Sequence, residues 1–174
     1  MTTIEQAIVL AAGEGSRLAP FTTHRPKPLL PFLNVPLLTH TLHGLARGGV
    51  RRVALNAFHL ADQMTVYAES NPVPDLDLHV EVEETLLGTG GGLVNLQNWL
   101  EEGPFLVTTA DIISNINLDA LCLRHKECKA QATMTLVPDA DTEAFGAVEI
   151  DEEGMIVDIV SLLEHPGIAQ AVNG

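Results

Sequence analysis

The run Ala7-Ile8-Val9-Leu10-Ala11-Ala12 is apolar throughout and ends abruptly in two glycines one residue apart, Gly13-Glu14-Gly15. It reads as a strand that feeds a glycine loop. Glycines there let the backbone come close to a ligand and turn its N–H groups toward it. Ser16-Arg17 follows at once, and Lys27 arrives ten residues later between Pro26 and Pro28. A guanidinium fork with an ammonium nearby suits a clustered anion such as a triphosphate. An ordinary strand-to-loop turn with two surface cations would account for the two glycines alone. The whole string from Leu10 to Pro28 is far more specific than its parts.

The rest of the chain alternates short apolar strands with helical segments, the pattern of a parallel sheet with crossover helices. Prolines from Pro20 to Pro36 rule out a regular helix and predict a loop lying over a ligand. A helix is expected from Pro36 to Arg47, with Leu38, Leu42 and Leu45 on one face, then a strand at Arg52–Ala57. Ala61–Ser70 predicts a second helix. Leu76–Val82 alternates apolar and polar residues, as a strand with one solvated face does. Thr89–Glu102 predicts a helix whose first turn is Gly90-Gly91-Gly92. Three glycines there are costly unless something must approach the backbone, a flexible surface turn being the competing reading. A strand at Phe105–Ala110 delivers Asp111 at its carboxyl end, and a helix follows over Asn117–Lys129, with Leu118, Leu121, Cys122 and His125 on one face. Strands are then expected at Thr133–Val137, Gly146–Ile150 and Met155–Leu162, with a turn at Asp151–Gly154. The predicted fold is Rossmann-like, a three-layer α/β/α arrangement with a mostly parallel central sheet.

At 174 residues the chain has the length of one domain, and its formal charge of −14 opposes general binding to nucleic acid or anionic membranes. Of only nine Lys and Arg residues, three (Arg17, Arg25 and Lys27) follow the glycine loop. An acidic protein that handles an acidic substrate must concentrate its cations or borrow a metal ion. Cys122 and Cys128 have neither disulfide-framework nor zinc spacing. No signal peptide or membrane-length apolar run is present, so the cytoplasm is expected.

Two familiar phosphate motifs are excluded. Lys27 lies too far from Gly15 for GxxxxGK[ST], and Gly13-Glu14-Gly15-Ser16-Arg17-Leu18 lacks the third glycine of GxGxxG. In open α/β sheets ligands bind beyond the carboxyl ends of strands, where the strand order reverses. The Gly13–Arg17 loop and Asp111 both occupy such ends. If their strands are neighbours, Asp111 is placed to ligate a hard cation shared with phosphate oxygens. Capping of the following turn, Ile112–Asn115, is the plainer role for that aspartate.

Leu10-Ala11-Ala12-Gly13-x-Gly15-Ser16-Arg17-x-x-Pro20-x-Thr22, with Pro26-Lys27-Pro28, resembles the signature of the sugar-1-phosphate nucleotidylyltransferases. The resemblance continues through Glu83-Glu84-x-x-Leu87-Gly88-Thr89-Gly90-Gly91-Gly92, similar to the family's base-contacting turn, and through Ala110-Asp111. Phe145–Asp151 with Gly154–Ile156 is similar to the strand pair that supports the sugar. The look is that of compact bacterial members acting on mannose 1-phosphate or N-acetylmuramic acid 1-phosphate.

The resemblance implies a Mg²⁺-dependent enzyme moving a nucleoside monophosphate from an NTP to a sugar 1-phosphate. It assigns nucleotide binding to Leu10, Ala11, Ala12, Gly13, Gly15, Ser16, Glu83, Gly88 and Thr89, catalysis to Arg17 and Lys27, and the metal to Asp111. Gly146, Glu164 and His165 fall on the sugar side. Three departures stand out: Ala110 replaces the glycine before the metal aspartate, Asn115 and Asn117 stand where relatives often carry acids, and Glu164-His165-Pro166 replaces Glu-Lys-Pro. Relatives carry a second metal-binding aspartate beyond this chain's last residue, so a single domain truncated in its sugar-binding part is expected over 1–174. Two other readings are a sensing domain that binds without turnover and a cytidylyltransferase for a phosphate such as choline phosphate. The base, the sugar and the oligomeric state are not legible.

Overall fold

A computed structural model describes residues 4–70, 72–138 and 148–159. The chain falls into two compact units, Met1–Ala130 and Gln131–Gly174. The first is built on a four-stranded sheet. Its strands are β1 (Gln6–Leu10), β4 (Arg52–Ala57), β5 (Asp77–Val82) and β6 (Leu106–Thr109), in the spatial order β5-β4-β1-β6. All three pairings are parallel. The chain builds outward from β1 to β4 to β5, then crosses to lay β6 on the other side of β1. The strand order therefore reverses between β1 and β6.

β1 is apolar from Ala7 to Leu10 because both of its faces are covered. Ala7 and Val9 join a core with Val53, Leu55 and helices α1 (Leu37–Arg47) and α2 (Ala61–Glu69), through Leu38, Leu42, Leu45 and Met64. Ile8 and Ala54 face the other way, onto Leu96, with Leu93 and Trp99 packed alongside. Those residues belong to helix α3 (Gly88–Leu96) and the single 3₁₀ turn Gln97–Trp99 that follows it. This is the expected three-layer, mostly parallel arrangement. Leu38, Leu42 and Leu45 recur on the one face of α1 that the core requires.

Three segments differ from expectation. The proline-rich stretch is a chain of single 3₁₀ turns (Ser16–Leu18, Phe21–Thr23, Lys27–Leu29) and a two-residue hairpin, β2 (Pro31–Phe32) with β3 (Val35–Pro36). The helix expected over Thr89–Glu102 ends at Leu96, and Leu100 is extended. In the second unit, residues 133–137 carry no strand. Helix α4 (Leu118–Cys128) starts at Asn117, whose side chain accepts a 3.0 Å bond from the Ala120 N–H. That carbonyl oxygen satisfies one of the free donors of the first turn. The second unit holds an antiparallel pair, β7 (Val148–Ile150) and β8 (Ile156–Ile159). Its turn closes where expected, the Asp151 carboxylate accepting from the Met155 N–H at 2.7 Å. The other residues expected in these two strands lie outside the described ones, save Met155, which precedes β8.

Candidate active site at the β1–β6 switch point

The carboxyl ends of β1 and β6 are held together up to the point where both leave the sheet. The Ala110 N–H donates to the Leu10 carbonyl at 3.0 Å, and Ala110 is buried. Asp111, the next residue, thereby stands beside the exit of the glycine loop. Leu10 is half-buried, Ala11 and Ala12 are buried, and Gly13, Ser16 and Arg17 are exposed beyond them.

The loop is braced from below. Gly15 has φ +64°, which L side chains adopt at a cost, and an added Cβ would lie 2.9 Å from Thr22 Cγ2 and 3.0 Å from Lys27 Cβ. The Thr22 hydroxyl donates to the Gly15 carbonyl at 3.1 Å. Thr22 is itself fixed, its carbonyl accepting from the His59 imidazole N–H at 2.7 Å. Gln63 on α2 donates to the His24 carbonyl at 2.9 Å. So the proline-rich segment is clamped to the mouth by α2 and the residues leading into it.

Lys27 sits between Pro26 and Pro28, both buried, and opens a 3₁₀ turn. Its ammonium donates to Asp111 Oδ2, an ion pair in which each side chain keeps about a third of its surface exposed. Burial works to raise the Asp111 carboxyl, but the bond from Lys27 and the Lys27 charge outweigh it. The net result is a carboxyl held below the usual aspartate value. Asp111 thus pairs across the switch point. The Thr41 hydroxyl on α1 donates to the Ile112 carbonyl at 3.3 Å and anchors that turn from the other side. Arg17 and Arg25 are exposed and make no ion pair among the described residues. In the same residues no three His, Cys, Asp or Glu side chains gather as a metal cage.

The segment after β5 is arranged differently from the loop. Glu83 is only 4% exposed, whereas Glu84 is exposed. The Glu83 carboxylate accepts from the Asn56 amide at 2.8 Å and from the Leu87 N–H at 3.1 Å. Gly88 and Thr89 open α3 at the surface. Of the glycine triad, Gly90 faces open space, Gly91 packs on Leu87, and Gly92 is buried against Asn56. The flexible-turn reading fails here: the triad lies inside a helix. Gly146, Glu164 and His165 lie outside the described residues.

Asn56, Thr22 and His59 are absent from the expected site and take part in its geometry. Asn56 left a signal, as the one polar side chain inside Val53–Ala57. A buried amide must find partners, and a polar residue in an otherwise apolar strand marks where to look for them.

The family model described as nucleotidyl transferase matches residues 6–173. The chain is 34% identical to the mannose-1-phosphate guanylyltransferase of Mycobacterium tuberculosis, over 92% of this chain and 45% of that protein. It is 28% identical to a UTP–glucose-1-phosphate uridylyltransferase of Synechocystis, over 97% of this chain and 46% of that one. It therefore spans less than half the length of these curated relatives. Among solved structures, HddC from Yersinia pseudotuberculosis complexed with GMP-PN superposes with a TM-score of 0.70 at 24% identity, covering 91% of this chain and 69% of that one. That likeness establishes the nucleotide-diphospho-sugar transferase fold. On the match from residue 6 to residue 173 and the mycobacterial identity, the chain belongs to the nucleotidyl transferase family.

Proposed function

We propose that the chain transfers a nucleoside monophosphate from an NTP to a sugar 1-phosphate, leaving an NDP-sugar and pyrophosphate. The observation that carries this reading is the Lys27–Asp111 pair at the sheet's switch point, beside the glycine loop. Relatives named for mannose 1-phosphate and glucose 1-phosphate support a hexose 1-phosphate as acceptor. A nucleotide substrate is in keeping with a cytoplasmic setting.

Backbone N–H groups around Gly13 and Gly15 receive the triphosphate, and the space before Gly13 is open. Arg17 takes the β- and γ-phosphates. Lys27 neutralises charge at the α-phosphorus while an acceptor phosphate oxygen bonds to that atom and the bond to the bridging oxygen breaks. Pyrophosphate leaves with the bonding electrons. The attacking oxygen is already ionised, so no general base is needed. Positioning and charge stabilisation carry the rate. The turn from Glu83 through Thr89 meets the base, with Glu83 holding the turn in shape. Gly146, Glu164 and His165 serve the sugar side.

Magnesium fits the residues present. It commonly takes only one or two protein carboxylates and fills its shell with water and phosphate oxygens. Asp111, a partly exposed carboxylate that stays ionised, meets that requirement. When bound, the ion would neutralise charge on the phosphate oxygens.

Pyrophosphate release from ATP, GTP, CTP and UTP, each with mannose, glucose or N-acetylmuramic acid 1-phosphate, tests the proposal. Release with one such pair is the expected result. NTP binding without release by any pair would replace the enzyme with a sensing domain. Release from CTP with choline phosphate alone would change the acceptor class.

A further inference from the structure

One buried side chain joins the two ends of the proposed nucleotide site. Asn56 stands near the carboxyl end of β4, the strand between β1 and β5. It is 3% exposed. Its Oδ1 accepts from the Ala11 N–H at 2.7 Å, where the chain leaves β1 for the glycine loop. Its Nδ2 donates to Glu83 Oε1 at 2.8 Å, and Glu83 Oε2 holds the Leu87 N–H at 3.1 Å, just before α3. The fit is close on the remaining side: a methyl on Gly92 would lie 2.7 Å from Asn56 Nδ2 and 3.3 Å from Glu83 Oε1.

We propose that Asn56 is a positioning residue that sets the phosphate end of the nucleotide site against its base end. This rests on the nucleotidyl-transfer reading above. The amide serves both neighbours through separate atoms, because Ala11 needs an acceptor and Glu83 needs a donor. Aspartate keeps the acceptor but brings a second carboxylate against Glu83, and aliphatic residues offer neither group. The network touches no reacting atom. It acts by fixing the distance between the loop that takes the phosphates and the turn that takes the base.

A swap of chemistry separates positioning from plain stability. Asn56→Asp alone sets two carboxylates together. Glu83→Gln alone leaves two amides competing for one acceptor. Together they restore every bond with the central donor and acceptor exchanged. The new carboxylate at position 56 accepts from Ala11 and from the new amide at 83, whose oxygen takes the Leu87 N–H.

Equilibrium binding of ATP, GTP, CTP and UTP to the whole chain is measured for wild type, both single variants and the double, with thermal midpoints alongside. Each single variant is expected to weaken the preferred NTP about tenfold and to compress the preference among bases, as loss of a buried bond does. The double variant is expected to recover both to within about threefold, as coupled sites do. Single variants that lower the midpoint yet leave affinity and base preference unchanged overturn the proposal, as does a double variant that recovers neither. Should Asn56→Asp fail to fold, the double must still bind tighter than Glu83→Gln alone, and equal or weaker binding overturns the idea. Failure of the transfer reading shows separately, as wild type that binds an NTP but releases no pyrophosphate; the swap is then still read from binding. Wild type that binds no NTP overturns both.

Discussion

Lys27 and Asp111 are 84 residues apart in sequence and form one ion pair in space. Substitution of Lys27 by alanine removes the cation proposed to face the α-phosphorus. The expected loss of pyrophosphate release is about 100-fold or more, the scale of removing one charge-stabilising donor. The thermal midpoint should hardly move, since partly exposed ion pairs contribute little to stability. Near-normal turnover would refute that role for Lys27. The same pair predicts an acid limb. Because the folded Asp111 carboxyl lies below its ordinary value, its contribution is present above about pH 4 and lost as pH falls further through the folded value. Asp111→Asn should flatten that part of the stability–pH curve in urea titrations, and an unchanged slope would contradict the pairing. Both residues were legible from sequence as candidates. Their contact was not, because an ion pair between distant residues is created only when the strands that carry them become neighbours.

At the scale of elements, helix α3 shows how one residue type serves different ends within a single turn. Gly90 faces open space, so Gly90→Ala should stabilise the helix by up to ~1 kcal/mol through propensity alone. Gly92→Ala brings the same propensity gain but drives a methyl against the buried Asn56 amide, an overpacking cost of about 1–3 kcal/mol. Urea unfolding of the two variants should therefore give changes of opposite or clearly unequal sign, and equal stabilisation would contradict the packing around Asn56. Helix α4 kept its predicted face: Leu118, Leu121, Cys122 and His125 are all half-buried. The apolar pattern sufficed there, because a helix satisfies its own backbone. Residues 133–137 have the β-branched and apolar composition of a strand and yet form none. Strand propensity describes how side chains fit a pleated surface, while a strand also needs a neighbouring ladder that local composition cannot supply.

For the whole molecule the dominant quantity is charge. A formal −14 on 174 residues means self-repulsion at neutral pH, against which Arg17, Arg25 and Lys27 form a local exception. Raising ionic strength from about 10 mM to about 150 mM shortens the screening length from roughly 30 Å to roughly 8 Å. The thermal midpoint of the ligand-free chain should rise over that range as repulsion is screened. NTP binding should weaken, because the attraction of the cation cluster is screened too. A midpoint that falls with salt would show that ion pairs outweigh net repulsion.

The alternation of the four sheet strands with helices α1 to α4, the apolar faces of α1 and α4, and the glycine loop with its two cations were determined by local pattern, because period, turn chemistry and residue type act over a few neighbours. Tertiary structure alone decided which strand lies beside β1, and hence that Asp111 meets Lys27. It also decided that Glu83 faces inward while Glu84 faces out, and that a single asparagine on β4 links the exits of β1 and β5. These are properties of contact between distant segments. Parallel pairing places strand ends side by side, whatever their separation along the chain.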